Sequence, residues 1–267
     1  MKKVHPTGSP RGPPAFYEDN MKHILCCSFG KDSLATALLA LQHDEPLDEL
    51  VYCEVMFDSG LSAELPEHAR FIAQVAIPYF EKRGIPTRIL RSKSTYLSCF
   101  YRIVTRGQLQ GKYSGFPLSN RCKILRDCKL QPVREYIKTL PPDTVQYLGI
   151  AFDEPHRLER LQSNQISLME KYHVTEQDAR RMVEKAGLLS PIYRFTNRGG
   201  CWFCPNASLK ELRHLYFTHP DLWNRLMELQ EVPNKTSEYF SWTKTVRDLD
   251  RRFRMEGLQL SFYDEER

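Results

Sequence analysis

No apolar run in the 267-residue sequence approaches the roughly 18–20 residues that cross a bilayer, so no membrane span is expected. The first twenty residues, MKKVHPTGSPRGPPAFYEDN, lack the apolar stretch of a secretory signal. Their Pro, Gly and Ser content reads as a flexible leader, 1–20, before a fold that begins near Met21. The chain is therefore expected in the cytoplasm. The excess of basic over acidic residues is small as well: a formal net charge of +5 does not argue for RNA or an anionic partner by itself. The basic run KTVRDLDRRFR (244–254) has acids interleaved and reads as a solvated helix face. No repeat of solenoid period is present, and no cysteine follows Cys204. What is there, 41% hydrophobic and 27% charged, is an ordinary globular composition. The length suits one large α/β domain, or a domain with an appended subdomain.

Apolar runs at HILCC (23–27), LVYCEVMF (50–57), TRIL (87–90) and VQYLGIA (145–151) predict strands. Helical spacing follows the first two, in DSLATALLALQ and ELPEHARFIAQVAIPYFEKRG. Residues 106–120 read as a glycine-rich loop, and 124–140 as a helix broken or restarted at Pro132. Residues 175–189 predict a helix with Thr175 as N-cap and Gly187 as its stop. This alternation predicts βαβ units: an α/β, Rossmann-like, doubly wound and mainly parallel sheet over 21–190, with a helical C-terminal region over 191–267.

The stretch CCSFGKDSLATALLALQ (26–42) sets Ser28, Phe29, Gly30, Lys31, Asp32 and Ser33 between the first strand and the first helix. It is not a Walker A loop, because no glycine stands five residues ahead of the Gly-Lys pair. Its position is nevertheless that of a phosphate loop, where backbone N–H groups and the positive end of a helix dipole point. Lys31 adds a point charge, and two serines add hydroxyls. Asp32 beside a phosphate calls for a metal or a capping role. Standing alone, the segment also reads as a polar turn capped by Asp32 or Ser33.

Cysteines stand at 26, 27, 53, 99, 122, 128, 201 and 204. In a cytosolic chain of this size they do not predict a disulfide framework. Cys26, Cys27, Cys53 and Cys99 lie in apolar runs and read as small buried hydrophobes. Cys201 and Cys204 form C-x-x-C in a Gly-Gly-led loop, and Cys122 and Cys128 form C-x5-C at a helix start, where the dipole favours thiolates. Six residues along a helix leave two side chains about 120° apart, so Cys122 must precede the helix if the two converge. The two pairs together predict one four-thiolate centre, either tetrahedral Zn²⁺ or a 4Fe–4S cluster.

Five segments, in order over about residues 22–205, resemble the phosphoadenosine-phosphosulfate (PAPS) reductase family of the adenine-nucleotide α-hydrolase (PP-loop) superfamily. SFGKDS (28–33) is similar to its pyrophosphate loop, and VMFDSGLSAELPE (55–67) to its Asp-Ser/Thr-Gly signature. SNRCKILRDCKLQPVREYI (119–137) resembles its Arg-x-Cys…Lys-x-x-Pro helix, and LGIAFDEPHRLERL (148–161) its Gly-Ile-x-x-Asp-Glu-x-x-Arg segment. LSPIYRFTNRGGCWFCP (189–205) is similar to the Gly-Cys-x-x-Cys-Pro ending of cysteine-rich relatives, including DNA-phosphorothioation sulfur-transfer enzymes.

The resemblance implies ATP, or else PAPS or adenosine phosphosulfate, with its phosphates on residues 28–33, its adenosine near Asp58 and Gly60, and Gly149 in the same site. It implies Lys31, Asp32, Asp153 and Arg157 as catalytic residues, and Mg²⁺ with the leaving pyrophosphate. The expected chemistry is adenylylation with pyrophosphate release in sulfur transfer, with a sulfur-donor protein and an RNA or DNA acceptor as partners. Iron–sulfur relatives and Pro205 tilt the thiolate centre toward the cluster. Two departures matter. Phe29 replaces the first glycine of the ATP-pyrophosphatase pattern and leans toward the reductase branch. The tail GLQLSFYDEER lacks the nucleophilic cysteine of a sulfonucleotide reductase. That reductase is one alternative; a nucleotide- or RNA-binding module with a structural metal is the other.

Overall fold

A computed structural model describes residues 21–117, 122–241 and 243–265. The leader expected over 1–20, and the Ser119–Arg121 start of the Arg-x-Cys segment, lie outside the described residues.

The chain begins with β1 (His23–Cys26), α1 (Lys31–Gln42) and β2 (Glu49–Glu54), then α2 (Pro66–Phe71), a π-helical turn (Ile72–Ala76), α3 (Ile77–Glu81) and β3 (Thr87–Arg91). Next come α4 (Tyr96–Phe100), a second π-helical turn (Leu125–Leu130), α5 (Gln131–Ile137) and β4 (Val145–Leu148). After them lie α6 (Pro155–Leu158), β5 (Gln165–Ile166), α7 (Leu168–Lys171) and α8 (Glu176–Lys185). A 3-10 turn (Pro191–Arg194) leads to α9 (Leu209–Thr218), α10 (Pro220–Glu231) and α11 (Val246–Glu265).

All five strands pair in parallel, in the order β3-β2-β1-β4-β5. The expected doubly wound α/β fold is therefore present. Strands covered on both faces need apolar residues at every position, which explains the unbroken runs of β1 and β2, where Ile24, Leu25 and Leu50 are fully buried. Parallel crossovers are right-handed. Helices in the β1–β2 and β2–β3 crossovers thus share a face, and Leu34 and Leu38 of α1 share one core with Phe71, Ile72 and Phe80. The return from β3 to β4 runs the other way, which sets α5 against β2 and β3 from the opposite side.

Four short elements, α4, α6, β5 and α7, escaped the pattern. β5 is two residues long, too short for any periodicity, and α4 is one turn closed by a reciprocal Thr95–Ser98 capping box. The expected break at Pro132 is instead a widened turn. A proline ring clashes with the carbonyl four residues back, and each π-helical turn lies just ahead of a proline, Pro78 and Pro132, so the helix continues. A second core joins residues 55–128 to 192–253 through Phe57, Tyr96, Trp202, Phe203 and Phe253, so the C-terminal helices pack on the segments that follow β2 and β3. Among the described residues no helix is long and apolar enough to cross a membrane.

Candidate functional site

From β1 the chain proceeds to β2 and β3 on one side and returns to β4 and β5 on the other. The crevice of such a sheet opens at that reversal, beyond the C-terminal ends of β1 and β4. A cavity of about 750 Å³ lies there, lined by Ser28, Gly30, Lys31, Asp32 and Ser33 after β1, and by Gly149, Glu154 and Arg157 after β4. Cys26, expected as a buried strand residue, also lines it; burial pushes its thiol up to about 11.

The loop is shaped by Phe29. Its φ of 54° is left-handed, a conformation that suits glycine, and a fully buried ring set edge-on to Tyr52 at 5.2 Å anchors it there. No side chain caps α1. The Lys31 N–H donates to the Tyr193 Oη at 2.8 Å. Gly149 is required by close approach: a Cβ there would stand 2.8 Å from the Ser33 nitrogen and 2.9 Å from the Asp32 carbonyl carbon.

Lys31 is buried, and its Nζ donates to Asp32 Oδ1 at 2.9 Å and Glu176 Oε1 at 2.6 Å. Burial alone would lower its pKa, but the two carboxylates hold it above the ordinary lysine value. Burial raises the carboxyl of Asp32 despite Lys31. Arg157 pairs with Glu154 at 2.7 Å. Asp153 is not on the cavity wall; its Oδ1 accepts the Glu176 N–H at 2.9 Å and so caps the start of α8. Asp58 accepts the N–H groups of Gly60 and Leu61, each at 2.8 Å, and closes its own turn; neither Asp58 nor Gly60 lines the cavity.

Sequence reasoning missed Glu64, His68, Lys129, Glu154, Glu176, Tyr193 and Arg198, all on the wall. Glu64, Lys129, Glu154, Tyr193 and Arg198 lie inside recognised segments, Lys129 and Glu154 as residues of their patterns, and Glu176 lies in the first turn of a predicted helix. His68 had none: it is buried against Ser190, Nδ1 to Oγ 2.8 Å, and desolvation lowers its pKa, so it is neutral at pH 7.

The four singled-out cysteines are brought together in part. Cys122, Cys201 and Cys204 line the cavity. Trp202 and Phe203, between the last two, are buried against Phe57 and Tyr96, with centroids 4.7 Å (Phe57–Trp202) and 4.0 Å (Tyr96–Phe203) apart. Trp202 also donates its N–H to Ala63 O and its Nε1–H to Ser62 O, at 2.9 and 3.0 Å. Pinned at its middle, the loop holds both cysteines at the cavity wall. Cys122 precedes its helix, as convergence requires. Cys128 is fully buried, its Sγ 3.9 Å from that of Cys99, and is not on the wall. The Cys128 thiol, hydrogen-bonded to Cys99, holds Cys99 down at about 7. Burial raises the Cys201 thiol, so a metal binding there must displace its proton. No three of these sulfurs fall within 4.8 Å of one another, wider than the about 3.8 Å that Zn–S bonds imply.

Fold and crevice define a Rossmann-like, doubly wound α/β protein with basic, acidic and thiol groups facing one cavity. The sequence matches no family model and no curated protein.

Proposed function

We propose that the protein binds ATP with Mg²⁺ in this cavity and cleaves it between the α and β phosphates in a sulfur-transfer reaction. The support is that the residues expected to hold phosphates, all but the core residue Phe29, line one cavity with three thiols at the reversal point of the sheet. An acceptor oxygen bonds to the α-phosphorus as the bridge to pyrophosphate breaks, and a sulfur nucleophile then displaces AMP. Ser28, Gly30 and Ser33 offer hydroxyl and backbone donors, Lys31 a point charge, and the uncapped N-terminus of α1 a positive potential. Asp32 and Glu176 are the carboxylates that would hold Mg²⁺, which when bound offsets charge on the leaving pyrophosphate. Arg157, oriented by Glu154, is the cation of the β4 side. Asp153 acts at one remove, by positioning Glu176.

Cys122, Cys201 and Cys204 are the thiols that would hold an iron–sulfur cluster, with zinc as the alternative, since both take thiolate ligands. When bound, the cluster would supply a polarising iron centre on the cavity wall. This reading calls for a sulfur-donor protein and a nucleic-acid or other acceptor. The same wall thiols favour a second reading, reduction of PAPS or adenosine phosphosulfate.

Calorimetry with ATP and Mg²⁺ tests the proposal. Binding is expected, with a loss of about tenfold or more in Lys31→Ala, and α-labelled ATP should yield AMP and pyrophosphate when sulfide and nucleic acid are supplied. PAPS binding with sulfite release selects the second reading. ATP held without turnover marks a nucleotide-binding module, and no binding of any of these nucleotides overturns all three.

A further inference from the structure

A second cluster of ligand-type side chains lies where α2 meets the C-terminal helices. Glu67, in the first turn of α2, receives two imidazoles: His214 Nε2 stands 2.6 Å from its Oε1 and His219 Nε2 2.8 Å from its Oε2. One ligand atom from each residue lies within 4.8 Å of the other two, the one such group of three among the described residues. Residues five apart on a continuous helix point about 140° away from each other. These two converge because α9 ends between them: His219, at φ −130° and ψ 65°, belongs to neither α9 nor α10. Their orientation is fixed. The His214 ring stacks on Phe195, centroids 3.6 Å apart, and its Nδ1 lies 3.5 Å from Thr218 Oγ1. The side chains of Glu67, His214 and His219 keep 16%, 23% and 12% exposure, which shelters the site and leaves an entry path.

We propose that Glu67, His214 and His219 bind a first-row divalent cation, zinc by preference, that ties α2 to the C-terminal helices. Two imidazole nitrogens and one carboxylate form a donor set that suits zinc, with bonds of about 2.0–2.2 Å. Tetrahedral ligands at that bond length stand about 3.3 Å apart, so to admit the ion the two N···O contacts open by roughly 0.5–0.7 Å while the wider separations in the group, within 4.8 Å, close. Each ring ligates through Nε2 with its proton on Nδ1, and for His214 the Thr218 hydroxyl is the acceptor that holds this tautomer. Water takes the fourth position. The ion braces the nearby cavity wall, because Glu64 and His68, three residues before and one after Glu67, line it. The donors are nitrogen and oxygen, so the site is spectroscopically separable from the wall thiols.

The full chain is titrated with Zn²⁺, and with Co²⁺ as an optical probe. Expected is one equivalent whose cobalt spectrum lacks thiolate-to-metal charge transfer and is lost in a His214→Gln/His219→Gln double variant. Each single substitution should weaken zinc by at least about 10–100-fold, the loss that removal of even an outer-shell partner causes. A zinc-induced rise in melting temperature should disappear with it. Should the double variant fail to fold, Glu67→Gln keeps the size of the side chain and one acceptor oxygen but not its charge, and gives the same readout. Zinc affinity unchanged by these substitutions, or cobalt seen only with thiolate bands, overturns the proposal. The three residues then form a hydrogen-bonded staple only.

Discussion

Gly149→Ala is the sharpest probe of the crevice. The added Cβ would meet the Ser33 nitrogen at 2.8 Å, the Asp32 carbonyl carbon at 2.9 Å and the Ser33 Cα at 3.0 Å. All three are backbone atoms in the first turn of α1, so no side chain can swing aside. Ordinary contact begins at 3.4 Å, which means β4 and α1 must separate by about 0.6 Å. Overpacking of this size costs about 1–3 kcal/mol. The cost can fall on global stability or on the loop that lies between β1 and α1. If the loop yields, its displacement exceeds the ~0.5 Å tolerance of a preorganised site, and nucleotide affinity drops about tenfold per 1.4 kcal/mol. Urea unfolding and ATP calorimetry on the same preparations separate the two. A variant within about 0.5 kcal/mol of wild type in stability and about twofold in affinity would refute the close approach.

Tyr193→Phe leaves the buried Lys31 N–H without its acceptor and should cost about 1–3 kcal/mol in urea unfolding; a neutral variant would show that this bond is replaceable. Phe29→Gly relieves left-handed strain of about 1–2 kcal/mol but removes a fully buried ring worth about 3–5, so a net loss near 2 kcal/mol is expected, and a stabilised protein would contradict the anchoring role. Arg126 and Arg102 hold Asp127 at about 2, below the usual 3.8. A depressed carboxyl stabilises fully above its unfolded pKa, so about 1 kcal/mol, after solvent screening of the exposed arginines, should be lost as pH falls from about 4 to 2. Asp127→Asn should flatten that limb of the stability–pH curve, and an unchanged limb would exclude the pairing.

What the sequence disclosed was local. The Ser28–Ser33 loop was readable because it follows an apolar run whose burial forces a strand, whereas Gly149 lies inside the run read as a strand, 145–151, and came only with the family resemblance. Glu176 and Tyr193 were not readable, since they reach Lys31 across 145 and 162 residues and only the folded crossovers join them. Asp153 and Asp58 look catalytic in a motif, yet each carboxylate is occupied by backbone N–H groups, one capping α8 and the other closing a turn. A motif fixes the residue but not which of its partners is nearer.

The thiol wall makes the same point from the other direction. Spacing alone treats Cys122–Cys128 and Cys201–Cys204 as equivalent pairs, and packing does not. In the second pair the two intervening residues are Trp202 and Phe203, both buried, and they hold their neighbours at the cavity wall. In the first pair five residues and a π-helical turn intervene, and the turn that accommodates Pro132 directs Cys128 into the core beside Cys99 while Cys122 stays on the wall. The residues a C-x-x-C pattern leaves unspecified therefore decide whether its cysteines can serve a ligand: large apolar side chains there anchor the loop to the second core, and small polar ones would leave both the loop and its thiols without a fixed direction.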